Sequence, residues 1–245
     1  MHRGYSPYGW RARVGLILPS VNVTMEPEMA RLMPPGVAVH AARVMTRGRT
    51  TPESYREMAG DVERAAELLE TADVDIVAYA CTSGSIVEDE EPILERIRQI
   101  TKAPAVATAP AVVEALRALR VSAVAVATPY VEFVNEAERK YLEVRGFKVT
   151  AIKGLLLGKT EEDRRAIGKQ PAEVAFRLAR EVDSPEAQGL FISCTNFATL
   201  PILQLLEREA GKPVVSSVQA TAWALLRALD IGERITGYGT LLEKH

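Results

Sequence analysis

Short apolar runs recur along the chain, each closed by a polar or proline-bearing turn, with amphipathic stretches between them. Val14–Leu18 (VGLIL) stops at Pro19-Ser20, Val74–Tyr79 (VDIVAY) at Ala80-Cys81, Val121–Ala127 (VSAVAVA) at Thr128-Pro129-Tyr130, and Gly189–Ser193 (GLFIS) at Cys194-Thr195-Asn196. Nearly unbroken apolar runs of this length predict strands buried on both faces, as in parallel sheets. Val37–Val44, Ala105–Ala107, Lys148–Ile152 and Val214–Ser216 read as further strands. Helical spacing predicts helices over Met25–Met33, Pro52–Glu70, Pro92–Ile100, Pro110–Leu119, Glu132–Glu143, Pro171–Arg180, Leu200–Glu209 and Gln219–Leu229. In Pro52–Glu70 the apolar face is Met58, Val62, Ala65, Ala66 and Leu69. Strand and helix alternate throughout, which predicts an α/β fold.

The pattern repeats. VDIVAYACTSGS is followed by Pro-Ile-Leu at 92–94, a Lys-Ala-Pro at 102–104 and a helix ending Ala118-Leu119. QGLFISCTNFAT is followed by Pro-Ile-Leu at 201–203, a Gly-Lys-Pro at 211–213 and a helix containing Ala228-Leu229. Cys81 and Cys194 are 113 positions apart, and Pro19 and Pro129, each closing a strand, are 110 apart. Four elements in one order at one spacing indicate duplication. The expected architecture is two Rossmann-like lobes with parallel sheets, related by a pseudo-twofold axis, with a cleft between them. Lobe 1 is expected to span 14–120 and lobe 2 121–245, with the last helix (218–230) a candidate to pack on lobe 1. Residues 1–13 read as a polar, aromatic-bearing arm with Tyr5, Tyr8 and Trp10, ordered by packing on a neighbour.

Ligands of parallel α/β sheets bind at the carboxyl ends of strands. All four turns named above sit at such ends, so facing lobes would line one cleft with a cysteine on each wall. Free cysteine is most often core packing; matched positions in the repeat, each followed by Thr and a hydroxyl or amide, outweigh that reading. Backbone N–H groups at the start of a helix are expected to lower the thiol pKa and to bind a carboxylate. Ser20, Asn22, Thr82, Ser83, Tyr130, Thr195 and Asn196 are the candidate ligand-binding residues, and Cys81 and Cys194 the catalytic ones. Gly84 permits close backbone approach. Ser216 and Ser217 reach the cleft or cap the last helix. Arg43 or Arg47 are candidates to offset substrate charge. Three reactions suit the pair: racemisation by acid and base, protonation after decarboxylation, and addition to a double bond with rotation and release.

Composition narrows the partners. The 245 residues carry 30 Lys and Arg against 32 Asp and Glu, a net charge of −2, which does not suit a phosphate backbone. No apolar run approaches the ~20 residues of a membrane span, and the start has no apolar core of a secretory signal, so a cytoplasmic protein is expected. Two cysteines do not make a disulfide framework, and with three histidines, two of them at the termini, no metal cluster is expected. The reading is of a cofactor-free enzyme for a small carboxylate.

LILPSVNVTMEPE at 16–28, ACTSGS at 80–85, ATPYVEFVNE at 127–136 and SCTN at 193–196 resemble the maleate cis-trans isomerases, over nearly the whole chain. The ending Thr236-Gly237-Tyr238-Gly239 is similar to that of arylmalonate decarboxylase, a relative in the aspartate/glutamate racemase superfamily. The resemblance implies a two-lobed, cofactor-independent, commonly oligomeric isomerase. It makes Cys81 the nucleophile and Cys194 the proton donor and acceptor. Asn22 and Tyr130 would bind carboxylate and hold the intermediate, and Thr82, Ser83, Thr195 and Asn196 would form the carboxylate cradle. Arylmalonate decarboxylase lacks the first cysteine, so Cys81 points away from decarboxylation. A further family Asn has no counterpart from Glu136 through Thr195, where Lys159 is the candidate to receive a second carboxylate. A two-cysteine racemase of amino acids or hydantoins, a decarboxylase of a malonate-type acid, and a non-catalytic carboxylate-binding protein remain the alternatives. The loop Pro19–Pro27 is the segment expected to close over the ligand.

Overall fold

A computed structural model describes residues 7–245; Met1–Ser6, and with them Tyr5 of the expected arm, lie outside the described residues. The first sheet contains β1 (Ala12–Pro19), β2 (Val37–Val44), β3 (Ile76–Tyr79) and β4 (Ala105–Ala107) in the order β2-β1-β3-β4. The second contains β5 (Ala123–Tyr130), β6 (Lys148–Leu157), β7 (Gly189–Ile192) and β8 (Val214–Ser216) in the order β6-β5-β7-β8. All pairs are parallel. The second order is the first shifted by four strands, so the duplication read in the sequence is a duplication of topology. The inner strands β3, β5 and β7 are buried at every position, which explains their lack of polar alternation.

The helices of the first half are α1 (Met25–Leu32), α2 (Pro52–Gly60), α3 (Val62–Glu70), α4 (Gly84–Val87), α5 (Glu90–Thr101) and α6 (Thr108–Ala118). Those of the second are α7 (Glu132–Val144), α8 (Glu161–Ile167), α9 (Ala172–Val182), α10 (Leu203–Ala210), α11 (Ser217–Ala228) and α12 (Thr240–Lys244). The single helix expected over Pro52–Glu70 is two. Asp61 closes α2 and opens α3, and its carboxylate is drawn off to the Met45 N–H and to Arg64. Helices α4, α8 and α12 went unpredicted because each has seven residues or fewer, too short to show a period.

The two halves exchange helices. From α6, Ala109, Val112, Val113 and Leu116 share a core with Val124 and Val126 of β5, Phe191 of β7 and Val215 of β8. In return α11 packs on α1, β3 and β4 of the first half, and its Leu226 meets Ala12 of β1. The two exchanged helices also lie against each other. Each sheet is thus completed by a helix from the other half.

At the start of the chain, Trp10 lies on Gly36 of the same chain rather than waiting for a neighbour. Gly36 has φ +87, and a Cβ there would come within 2.4 Å of the indole. Arg11 pairs with Glu233.

Leu116 is fully buried and belongs to one half while packing under the other half's sheet. Leu116→Ala is expected to lower the unfolding free energy by about 2–5 kcal/mol. Urea titrations followed by Trp223 fluorescence, whose ring packs on the same core, and by circular dichroism should shift together.

Candidate active site

Cys81 follows β3 by two residues and Cys194 follows β7 by two, so equivalent strands carry the two thiols to the same level. Both are free, buried, and border one cavity of about 60 Å³, far smaller than the pockets that take drug-sized ligands. Asn22, Thr82, Ser83, Tyr130, Thr195 and Asn196 border the same cavity. Ser20 does not; its hydroxyl is spent on the Thr46 side chain and N–H, each at 3.0 Å.

The turn after β1 is tied to the turn after β7. Asn22 Nδ2 donates to Thr195 Oγ1 at 3.0 Å, and Thr195 Oγ1 donates to the Ala80 carbonyl at 3.0 Å. The Val23 N–H donates to Asn196 Oδ1 at 2.9 Å and Thr24 Oγ1 to the Asn196 carbonyl at 3.2 Å. Asn22 Oδ1 meanwhile accepts from the N–H groups of Thr24 and Met25 at the start of α1. The segment Pro19–Pro27, expected to close over the ligand, is therefore hydrogen-bonded to the second half at its middle, Val21–Thr24. Ser217 joins the two cysteine motifs. Its Oγ accepts from the Cys194 N–H at 3.0 Å and from Thr82 Oγ1 at 2.8 Å, while Ser216 caps α11 through a box with Gln219.

Cys194 has φ +97, a backbone region that costs a side-chain-bearing residue about 1–3 kcal/mol and that clusters at functional sites. Tyr130 reaches Cys194 from the end of β5, where a register shift between Thr128 and Tyr130 re-aims the strand. Its hydroxyl borders the same cavity as the Cys194 sulfur and favours the thiolate there.

The expected lowering of the thiol pKa values is not found. Burial pushes Cys81 up, against the Gly84 N–H at 3.3 Å, the Ser83 hydroxyl and the nearby Arg164 charge. Burial pushes Cys194 up to about 12, against the Tyr130 hydroxyl and the Asn196 N–H at 3.3 Å, with Cys81 and Glu138 adding to the rise. The helical dipole invoked for the lowering is nearly missing: α4 has four residues, and after Cys194 the chain makes turns until α10 starts at Leu203. Desolvation is then the larger effect. The surroundings of the two thiols differ: the Arg164 charge favours the thiolate of Cys81, whereas no cation offsets the burial of Cys194, and Glu138 on that side is held protonated at neutral pH. Gly84 is needed against Cys81 rather than against a ligand, since a Cβ there would sit 3.0 Å from the sulfur and 2.7 Å from Tyr79 Oη.

Several residues that border the cavity were not singled out as site residues from sequence, Tyr55 and Arg164 foremost, with Met58 expected only as part of a helix's apolar face. Tyr55 is hydrogen-bonded to Ser83, and burial holds its hydroxyl well above the ordinary value. Arg164, on α8, is the cationic side chain that borders the cavity, where Lys159, Arg43 or Arg47 was expected. Lys159 and Arg47 are exposed and do not border the cavity, and Arg43 is held by Glu26 and by the Ser20 and Asn22 carbonyls. Among the described residues no group of three or more His, Cys, Asp or Glu side chains is placed to hold a metal ion.

The family model for arylmalonate decarboxylase matches residues 14–242. The chain belongs to the arylmalonate decarboxylase family. It is 33% identical to a maleate isomerase of Nocardia farcinica, over 95% of this chain and 96% of that one. It is 28% identical to the arylmalonate decarboxylase of Bordetella bronchiseptica, over 94% and 96%. Among solved structures, a mutant of the Nocardia farcinica maleate cis-trans isomerase with a covalently bound succinylcysteine intermediate superposes with a TM-score of 0.88. It is 29% identical, over 96% of this chain and 99% of that one. Within the described residues of this family member no helix is long and apolar enough to cross a membrane.

One feature of this arylmalonate decarboxylase family member breaks its internal symmetry. Glu28 and Glu138 occupy equivalent places, each nine residues beyond Pro19 or Pro129. Glu28 accepts from the Thr199 and Leu200 N–H groups, five and six residues after Cys194. The N–H groups five and six residues after Cys81 belong to Ile86 and Val87, and α4 spends both on the Ser83 carbonyl. Glu138 is fully buried without a well-formed hydrogen bond, and the Ser193 hydroxyl compensates weakly, so its pKa is raised to about 8. Between pH ~4.5 and ~8 the unfolded chain releases this proton while the folded chain keeps it. Stability should fall as pH rises, by about 1.4 kcal/mol per pH unit, and level off above. Glu138→Gln removes that slope: in urea titrations at pH 5 and pH 8 the variant should gain on the wild type at the higher pH, and a pH-independent difference would refute the assignment.

Proposed function

We propose that the protein is a cofactor-independent cis-trans isomerase of a small unsaturated dicarboxylate, of the maleate-to-fumarate type, acting through a covalent adduct on Cys81. The reading is supported by two buried thiols, one from each half of the chain, bordering one small cavity in which the Arg164 cation favours the thiolate of Cys81 and nothing comparable favours that of Cys194. The cation beside Cys81 favours its thiolate, which makes it the nucleophile. Cys194, pushed up to about 12, holds its proton until a strong base forms beside it, which makes it the acid.

The Cys81 thiolate adds to one alkene carbon. The π pair moves to the other carbon and its carboxylate as an enediolate, and the Cys194 thiol gives that carbon its proton. The bond between the two carbons is now single and rotates. The Cys194 thiolate takes a proton back, the C–S bond breaks, the double bond re-forms trans, and Cys81 leaves as the thiolate. No oxidant or net proton is consumed. Asn22, Ser83 and Asn196 side chains, with the backbone N–H groups of Thr82 and Thr195, whose hydroxyl protons already go to Ser217 and Ala80, supply neutral donors for carboxylate oxygens, and Tyr130 holds the charge that develops near Cys194. Ser20 acts through Thr46, as support for the wall. We read 14–120 and 121–245 as the two lobes of a cytoplasmic homo-oligomer. A mechanism that needs two reduced thiols suits a reducing compartment.

Incubation with maleate should yield fumarate by proton NMR. Cys194→Ser should slow turnover by roughly 10²- to 10⁴-fold and leave a succinyl adduct on Cys81 in the mass spectrum, whereas Cys81→Ser should form none. Deuterium uptake at the α-carbon of an amino acid or hydantoin, with maleate left unchanged and no adduct, would replace this reading with the racemase one.

A further inference from the structure

The cavity must hold an unusual amount of negative charge. A dicarboxylate brings two units, and the Cys81 thiolate adds a third in a small cavity lined mostly by buried residues. Buried charge of one sign is costly unless a counter-charge is built into the site. Among the described residues bordering the cavity, Arg164 alone carries a positive charge.

Its setting is that of a cation left for a ligand. Arg164 is 6% exposed. One nitrogen, Nη1, donates to the carbonyls of Arg47 at 2.9 Å and of Gly48 and Arg49 at 3.4 Å. These contacts fix the guanidinium but leave its charge uncompensated, because no carboxylate among the described residues pairs with it. The neighbouring acids are engaged elsewhere: Glu161 pairs with Arg165 and accepts from the Gly48 N–H. Asp163 closes the capping box of α8 with Thr160. The charge of Arg164 bears on Cys81 and on Tyr55, which puts it on the nucleophile's side of the cavity. A planar guanidinium with Nη1 fixed on the protein keeps Nη2 and Nε to meet a carboxylate.

We propose that Arg164 binds one carboxylate of a doubly charged substrate, so that the enzyme selects dianions over their monoamides. This rests on the isomerase reading for the identity of the substrate, but the charge preference is a property of binding and is separable from turnover. The other carboxylate falls to the neutral donors around Thr195 and Asn196, next to Cys194. The same guanidinium holds the 47–49 backbone, so Arg164 carries both the closure of the wall and the recognition of charge.

The test compares succinate with succinamate, saturated acids of nearly one shape that differ by one charge, by calorimetric titration. The wild type should bind succinate roughly 30-fold or more tightly than succinamate. Arg164→Gln should bring that ratio to within roughly threefold, and Arg164→Lys should keep part of it, as a point charge without the planar fork. Thermal melts establish that the variants fold. Equal binding of the two acids by the wild type, or a ratio unchanged in a folded Arg164→Gln, overturns the proposal. A lost ratio without any maleate turnover or Cys81 adduct would uphold the charge site and sink the isomerase chemistry instead.

Discussion

Two thiols can share one small molecule only if the turns that carry them are held at a fixed separation. The seam of polar bonds between the turn after β1 and the turn after β7 does this. Asn22 is central to it: the Oδ1 of one amide starts α1 and its Nδ2 grips Thr195, which in turn grips Ala80, the residue before Cys81. Removing a partner from such a buried chain leaves other polar groups without water or protein to bond to, which costs more than the lost bond itself. Apolar packing could bring the halves together, as the exchanged helices do, but it has no directional preference fine enough to set the register of two sulfurs.

Burial then decides the chemistry. The site trades thiolate at rest for a largely buried cavity, where the few charges present act at short range and are less screened than at the surface. In that setting the small differences between equivalent positions are amplified. Four residues of helix after Cys81 consume the N–H groups that in the other half cradle Glu28, and the orphaned Glu138 is left buried and holding its proton at neutral pH. A single arginine on α8 weights the side of Cys81.

Much of this could be read from the chain. The apolar runs ending at Pro19, Ala80, Pro129 and Ser193 located the inner strands to within a few residues, because runs this short, rich in Val and Ile and closed by turn residues, suit a strand buried on both faces better than a helix. The repeat brought Cys81 and Cys194 to one cavity without any knowledge of distances. Reading stopped where the cause was tertiary. Nothing local to Ser20 shows that Thr46 claims its hydroxyl. Arg164 sits in a charged stretch, Glu161 to Arg165, that looks solvated throughout; that one of its side chains turns inward depends on the carbonyls of 47–49, more than a hundred residues away. The direction of the thiol pKa shifts was misread for a similar reason, since local N–H groups were visible and the depth of burial was not.

The exchange of α6 and α11 has an implication for how such a chain arises. A half chain by itself would leave one face of its sheet bare, and two identical halves would cover each other only as a symmetric pair trading those helices. The present protein has the form of that pair joined on one thread. In a true twofold dimer the two cysteines would be chemically indistinguishable, and neither could be kept as nucleophile while the other served as acid. Fusion lifts that identity: once the copies are covalently one, each can accumulate its own neighbours, and a division of labour between two equal sulfurs becomes heritable.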